Sequence, residues 1–156
     1  MQKNLAQWDP RIFHRKNKKM IERFIKKFTN KEIDYVKIGS KYFLKNNKLV
    51  KLNNSPSSFG LYLGEEKNNQ FNPSLALLEL IAKDSKDKAI VDEKREWLFL
   101  CGRDIFLDKK IKILGKGIDY KLIQNGRDEN LGIGKITKTG IRNLFNRGDY
   151  LKRESQ

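Results

Sequence analysis

The sequence predicts an α+β protein in two parts: residues 1–88 form an N-terminal α/β domain with an antiparallel sheet and two helices, and residues 89–156 form a small β-barrel. Three observations carry this reading. Apolar residues recur at helical spacing in two places. The rest of the chain breaks into short β-type segments punctuated by Gly, Asn, Pro and Ser. A wholly charged or polar stretch, Lys83-Asp84-Ser85-Lys86-Asp87-Lys88, separates the two halves.

Asp9-Pro10 reads as a helix cap followed by proline in the first turn, where the missing donor costs nothing. Met20, Ile21, Phe24, Ile25 and Phe28, with Ile12 and Phe13 two turns earlier, then form one apolar face while the lysines point outward. From Ile33 the pattern turns to β. Ile33–Ile38, Lys41–Lys45 and Lys48–Leu52, joined at Gly39-Ser40 and Asn46-Asn47, predict a three-stranded meander, and Phe59–Gly64 a further strand after the Ser55-Pro56-Ser57-Ser58 turn. Asn72-Pro73 repeats the cap-and-proline signal and predicts a helix from about Pro73 to Lys83.

Past the polar stretch, strands are expected at Ala89–Val91, Glu96–Leu100, Ile111–Leu114, Asp119–Gln124, Asn130–Ile136 and Asp149–Arg153. The turn Asn125-Gly126-Arg127-Asp128-Glu129 is expected to close a hairpin, with Asn-Gly taking the positive φ. Six strands in so short a segment predict a closed or nearly closed barrel.

The net charge is +15, with 34 Lys and Arg against 19 Asp and Glu, and Lys outnumbers Arg 25 to 9. The excess has two sources. The larger lies in the first 51 residues, around Arg15-Lys16-Asn17-Lys18-Lys19 and on through Arg23, Lys26 and Lys27; the other lies beyond Lys88. This exceeds what solubility requires and points to a polyanion. Nucleic acid is favoured over a membrane surface, because the basic stretch also holds Trp8, Phe13, Phe24 and Phe28 instead of a clean Lys face. No apolar run is long enough to span a bilayer, and Trp8, Asp9 and Pro10 interrupt any secretory signal, so a soluble intracellular protein is expected.

Catalytic and metal chemistry find little material. His14 and Cys101 are the only histidine and cysteine, which excludes a disulfide within the chain and a cysteine-rich zinc site. Cys101 follows Leu98-Phe99-Leu100 and is expected to be an inert, packed thiol. Gly132-Ile133-Gly134-Lys135 resembles the end of a phosphate loop, but Glu129 stands where that loop needs glycine and Ile136 where it needs Ser or Thr. A dinucleotide fingerprint fails at Thr137. The two glycines are expected instead to allow a close backbone approach. Glu65-Glu66 and Asp128-Glu129 fall in expected turns, where exposed acids are ordinary. No catalytic residue, metal ligand or cofactor is expected.

The segment Asp119-Tyr-Lys-Leu-Ile-Gln-Asn-Gly-Arg-Asp-Glu-Asn-Leu-Gly-Ile-Gly-Lys-Ile136, followed by Leu144-Phe-Asn-Arg-Gly-Asp-Tyr-Leu-Lys-Arg-Glu154, resembles a PUA domain, a small RNA-binding pseudo-barrel. Upstream lie a basic first helix, the Tyr42–Val50 hairpin, Phe59-Gly-Leu-Tyr-Leu-Gly-Glu65 and a leucine-rich helix after Phe71. With these, nearly the whole chain resembles the Nip-seven family of ribosome-biogenesis proteins. The resemblance implies an N-terminal α/β domain before a C-terminal PUA domain, and a non-catalytic role in maturing large-subunit ribosomal RNA. It also implies basic RNA contacts just after the Leu-Gly-x-Gly strand, where this chain has Lys135, Lys138 and Arg142; Lys152, on the expected closing strand, is a further candidate RNA contact.

On the residues themselves, lysines beside Gly132 and Gly134 suit phosphate, the two glycines letting an RNA backbone approach. Single-stranded or looped RNA is the expected partner, and no membrane; the resemblance implies that this RNA is ribosomal and adds pre-ribosomal assembly factors as partners. Arg15, Lys18, Lys19 and Arg23 form a second candidate RNA contact on the first helix, and Tyr120 and Tyr150 are candidate stacking platforms. An RNA-modifying enzyme or its RNA-delivering subunit is the competing reading, disfavoured by the small N-terminal part and the lack of a cofactor loop. A pure protein-docking module is a third. The expected compartment is the cytoplasm in a prokaryote or archaeon, and the nucleus or nucleolus in a eukaryote.

Overall fold

The computed structural model describes residues 19–50, 56, 58–116 and 119–154. The chain divides into two compact units, one running up to Phe24 and resuming over Glu32–Leu77, the other taking Ile25–Lys31 and the chain from Leu78 onward. The architecture is α+β: an antiparallel sheet with helices, and a curled six-stranded half-barrel.

The first unit is a four-stranded antiparallel meander of β1 (Tyr35–Ile38), β2 (Lys41–Leu44), β3 (Tyr62–Lys67) and β4 (Gln70–Pro73), in chain order. Helix α1 (Lys19–Ile25) precedes it, and its helical spacing is real: Ile21, Ile25 and, just past the helix, Phe28 are buried. The expected strand at Lys48–Leu52 is not the third of the meander. Asn47–Val50 form a short helix, α2, whose start is turned by Asn46 Oδ1 accepting from Lys48 N at 3.0 Å, and 51–52 lie outside the described residues. The third strand comes later, at Tyr62–Lys67 in place of Phe59–Gly64, and turns into β4 through Asn68 and Asn69, both at positive φ (52° and 56°). That pair matches the twist of a two-residue hairpin.

Asn72-Pro73 ends a strand and does not cap a helix; the cap is Ser74, whose Oγ accepts from Leu77 N at 3.1 Å, opening α3 (Leu75–Ala82). Glu65 and Glu66 lie within β3, not in a turn. Glu66 takes a hydrogen bond from Lys37 Nζ at 2.7 Å and another from the Tyr42 hydroxyl, tying β1, β2 and β3 together. Burial works against its charge, but the bonds from Lys37 and Tyr42 outweigh it and leave its pKa below the usual glutamate range. Burial first, then the Glu66 hydrogen bond, push the Tyr42 hydroxyl up. The Tyr42 ring, fully buried, meets Tyr35 and Phe71 edge-on at 5.3 and 5.6 Å.

In the second unit, β5 (Lys88–Val91), β6 (Ile105–Phe106), β7 (Lys112–Leu114), β8 (Tyr120–Asn125), β9 (Asn130–Ile136) and β10 (Gly140–Asn146) form one sheet in the order β6-β10-β9-β8-β5-β7. All pairings are antiparallel except β5 with β8. Ala89, Val91, Phe99, Ile105, Ile111, Ile123, Leu131 and Ile141 pack as its core.

Two expected strands are helices. Glu96–Leu100 belongs to α4 (Glu93–Leu100), capped by Asp92, whose Oδ1 accepts from Arg95 N at 3.0 Å, with Glu93 and Glu96 placed favourably in the first turn. Asp149–Arg153 belongs to α5 (Gly148–Glu154), where Asn146 Oδ1 accepts from Asp149 N at 3.2 Å. The Asn125–Glu129 hairpin stands, yet the positive φ falls on Asp128 (62°) and not on Gly126. Cys101 caps the end of α4 and is exposed, not packed.

Lys121 is 1% exposed, held by Asp87 Oδ1 at 3.0 Å and the Leu114 carbonyl at 2.8 Å. A buried ammonium demands such partners.

Candidate nucleic-acid interface

The hairpin of β9 and β10 gathers three of the expected contacts. Lys135 on β9 lies directly opposite Arg142 on β10, and Lys138 occupies the turn between them. Thr137 pins that turn, its hydroxyl donating to the Gly140 carbonyl at 3.0 Å and accepting from Gly140 N at 3.1 Å. On its other side Lys135 is opposite Tyr120 of β8. Opposed residues of an antiparallel pair share a face, so Tyr120, Lys135 and Arg142 form a row across three adjacent strands.

A fourth member comes from far away in sequence. Segment Ile25–Lys31 is part of the second unit, and it places Lys27 Nζ 4.0 Å from the centroid of the Tyr120 ring, with Lys135 Nζ 5.7 Å from it. Lys31 anchors the segment through an ion pair with Asp84 at 2.9 Å. The ring is half-buried under two ammonium groups, an arrangement in which its π-face offsets part of their mutual repulsion.

Among the described residues, Lys27, Lys135, Lys138 and Arg142 have no ion-pair partner, whereas Lys37, Arg95, Lys121 and Arg127 each face a carboxylate. Cations in the row are therefore uncompensated while several elsewhere are spent on structure. Sequence reasoning misses Lys27 as a site residue, because the ring it covers is more than ninety positions away. The signal available is only the local run Lys26-Lys27.

The other expected residues are placed differently. Lys152 rides on helix α5, not on a strand, with its ammonium 3.9 Å from Asp149. Lys19 opens α1 and Arg23 is exposed on it, while Arg15, Lys18, His14, Trp8 and Phe13 lie outside the described residues. Tyr150 is half-buried, its ring 6.1 Å from that of Phe145.

Gly132 and Gly134 do not open the strand to a ligand. Both are buried, and a Cβ on Gly132 would strike the Phe145 carbonyl and come within 2.8 Å of Asn146 Cα. On Gly134 it would strike the Ile141 side chain and approach Ile123 Cδ1 to 3.1 Å. The close approach these glycines permit is of β10 and the core onto β9, within the chain itself.

A curled β-platform carrying a row of unpaired cations around an aromatic ring is the form of a small RNA-binding β-domain. Residues 87–155 match the UPF0113 PUA domain family. PUA domains bind RNA, and that is the activity the match gives this segment. A search of curated proteins finds no match to the chain. Among the described residues no helix is long and apolar enough to cross a membrane.

Proposed function

We infer that the protein is a non-catalytic RNA-binding factor of the Nip-seven type, acting in assembly of the large ribosomal subunit by holding single-stranded or looped ribosomal RNA. The single observation that supports it is the row of Tyr120, Lys135 and Arg142 on one sheet face within the segment that matches a PUA domain, with Lys27 brought over the Tyr120 ring and none of the three cations ion-paired among the described residues. Lysine and arginine on phosphate fix the position of an RNA strand without reading its bases. The upstream unit, whose helix α1 carries Lys19 and Arg23, adds charge or docks assembly proteins.

The test is a salt titration of single-stranded RNA binding by the intact protein. Affinity should fall steeply with salt. Replacing Lys135, Lys138 and Arg142 together with Ala should flatten the log-affinity against log-salt slope by about 2, at about 0.7 for each phosphate that is no longer neutralised. An unchanged slope would remove the RNA from this face. Crosslinking in the native cell followed by sequencing tests the assembly role: enrichment of large-subunit ribosomal RNA supports it, and its absence refutes it.

A further inference from the structure

Phe106 is the most exposed large apolar side chain among the described residues, at 80%. It sits on the edge strand β6, whose neighbour in the sheet is β10. Its partner across that pairing is Gly140, which has no side chain to cover the ring. Gly140 and Arg142 are two residues apart on β10, so Phe106 projects from the same face as Arg142, Lys135 and Tyr120. Beside it a cleft of about 260 Å³ is lined by Phe106, Asp104, Thr137, Thr139 and Arg142. The cleft is smaller than the roughly 300–1,000 Å³ that encloses a drug-sized ligand.

We propose that this cleft takes one unstacked nucleobase, laid on the Phe106 ring, with Arg142 on the adjoining phosphate; the inference rests on the RNA-binding reading above. The chemistry of the lining decides between base and phosphate. Asp104 is fixed in place by accepting from Asn143 N at 2.8 Å, next to the bulge between Asn143 and Phe145, and its carboxylate repels a phosphate from the cleft. The same carboxylate and the Thr139 hydroxyl suit the polar edge of a base, and an exposed aromatic suits its face. Phosphates then follow the basic row past Lys135 toward Lys27, which gives the strand a direction across the sheet.

The experiment compares two probes of equal length, a single-stranded RNA oligonucleotide and the same backbone without bases, against the intact protein and Phe106→Ala. An 80% exposed ring can be removed without loss of the fold, which circular dichroism checks. Affinity for the base-bearing strand should fall about 5- to 150-fold, the range that loss of one stacking aromatic gives. Affinity for the abasic backbone and the salt slope should stay as they were, and Phe106→Tyr should restore binding. If Phe106→Ala binds both probes like the parent while the Lys135, Lys138 and Arg142 replacement still flattens the slope, the RNA-binding reading stands and the base cleft is refuted, leaving the ring to a protein partner. Equal weakening toward both probes also refutes it. A parent protein that binds neither probe overturns both.

Discussion

Replacing Gly132 with Ala separates a packing role from an RNA role. At φ +155° the position lies where L side chains are strained, and an added Cβ would run into the Phe145 carbonyl and stand 2.8 Å from Asn146 Cα. Both obstacles are backbone of β10, so relief requires moving a strand out of its pairing instead of turning a side chain. Overpacking of this kind costs about 1–3 kcal/mol, and the backbone strain a further 1–3 kcal/mol or so. Against a total stability of about 5–15 kcal/mol, the combined loss of about 2–6 kcal/mol is severe. At about 2–4 °C per kcal/mol for a chain of this size, the melting temperature followed by circular dichroism should drop by at least about 4 °C.

Gly126→Ala is the control, since a Cβ there meets nothing within 4 Å. It should shift stability by no more than about 0.5 kcal/mol. Binding per folded molecule should be unchanged in both variants. A Gly132→Ala protein that melts with the parent but loses RNA affinity would refute the packing argument and return the glycine to the interface.

Two further substitutions address buried charge. Asp87→Ala leaves Lys121, 1% exposed, with the Leu114 carbonyl, and should cost about 3 kcal/mol in urea unfolding, the low end of the usual range because Asp87 is partly solvated. Adding Lys121→Met should recover much of the loss; no recovery would show that the charge is not what the deletion exposes. Glu66 has a lowered native pKa, so its contribution is complete above the ordinary glutamate value of about 4.3 and is lost as pH falls through the lower native one. Glu66→Gln should therefore be less stable than the parent at pH 7 and show a shallower loss of stability below about pH 4.3, while an acid limb parallel to the parent's would rule out this linkage.

What can be read from the sequence depends on whether a signal is local. The face of Ile21, Ile25 and Phe28 and the strand Asn130–Ile136 follow from spacing alone, and both are present. Asn-Asn is a two-way signal. Asn46-Asn47 begins a helix through a side-chain bond to Lys48 N, whereas Asn68-Asn69 accepts two positive φ values and makes the hairpin. Only the strands on either side of 68–69, paired from Gly64 to Pro73, decide between them.

Trp97-Leu98-Phe99-Leu100 reads as β on composition, yet Asp92 capping Arg95 N commits the segment to helix before that run is reached. Asp149–Arg153 departs from a strand for the same reason, through Asn146. Lys135 and Arg142 are legible as basic residues, but their opposition is a matter of hairpin register, and Lys27 reaches Tyr120 only because Ile25–Lys31 joins the second unit. The two glycines mislead because a Gly in a strand signals proximity without naming what is close.

The parallel pairing of β5 with β8 sets an order of events during synthesis. β5 emerges first of its sheet, but its neighbours β7 and β8 begin only at Lys112 and Tyr120, and among the described residues β7 pairs with β5 alone. The run β8, β9, β10 closes by hairpins as soon as it is made, since each strand follows its partner directly. Until β8 arrives, β5 can pair only with β7, over Lys88–Ile90, and Ala89 and Val91, both buried at the end, lack the rest of their sheet. The late, non-local step is therefore the docking of β5, together with its partner β7, onto β8, and non-local pairing of this kind is slow. Changes that delay β8 should prolong exposure of this strand to chaperones and aggregation well before they alter the finished protein.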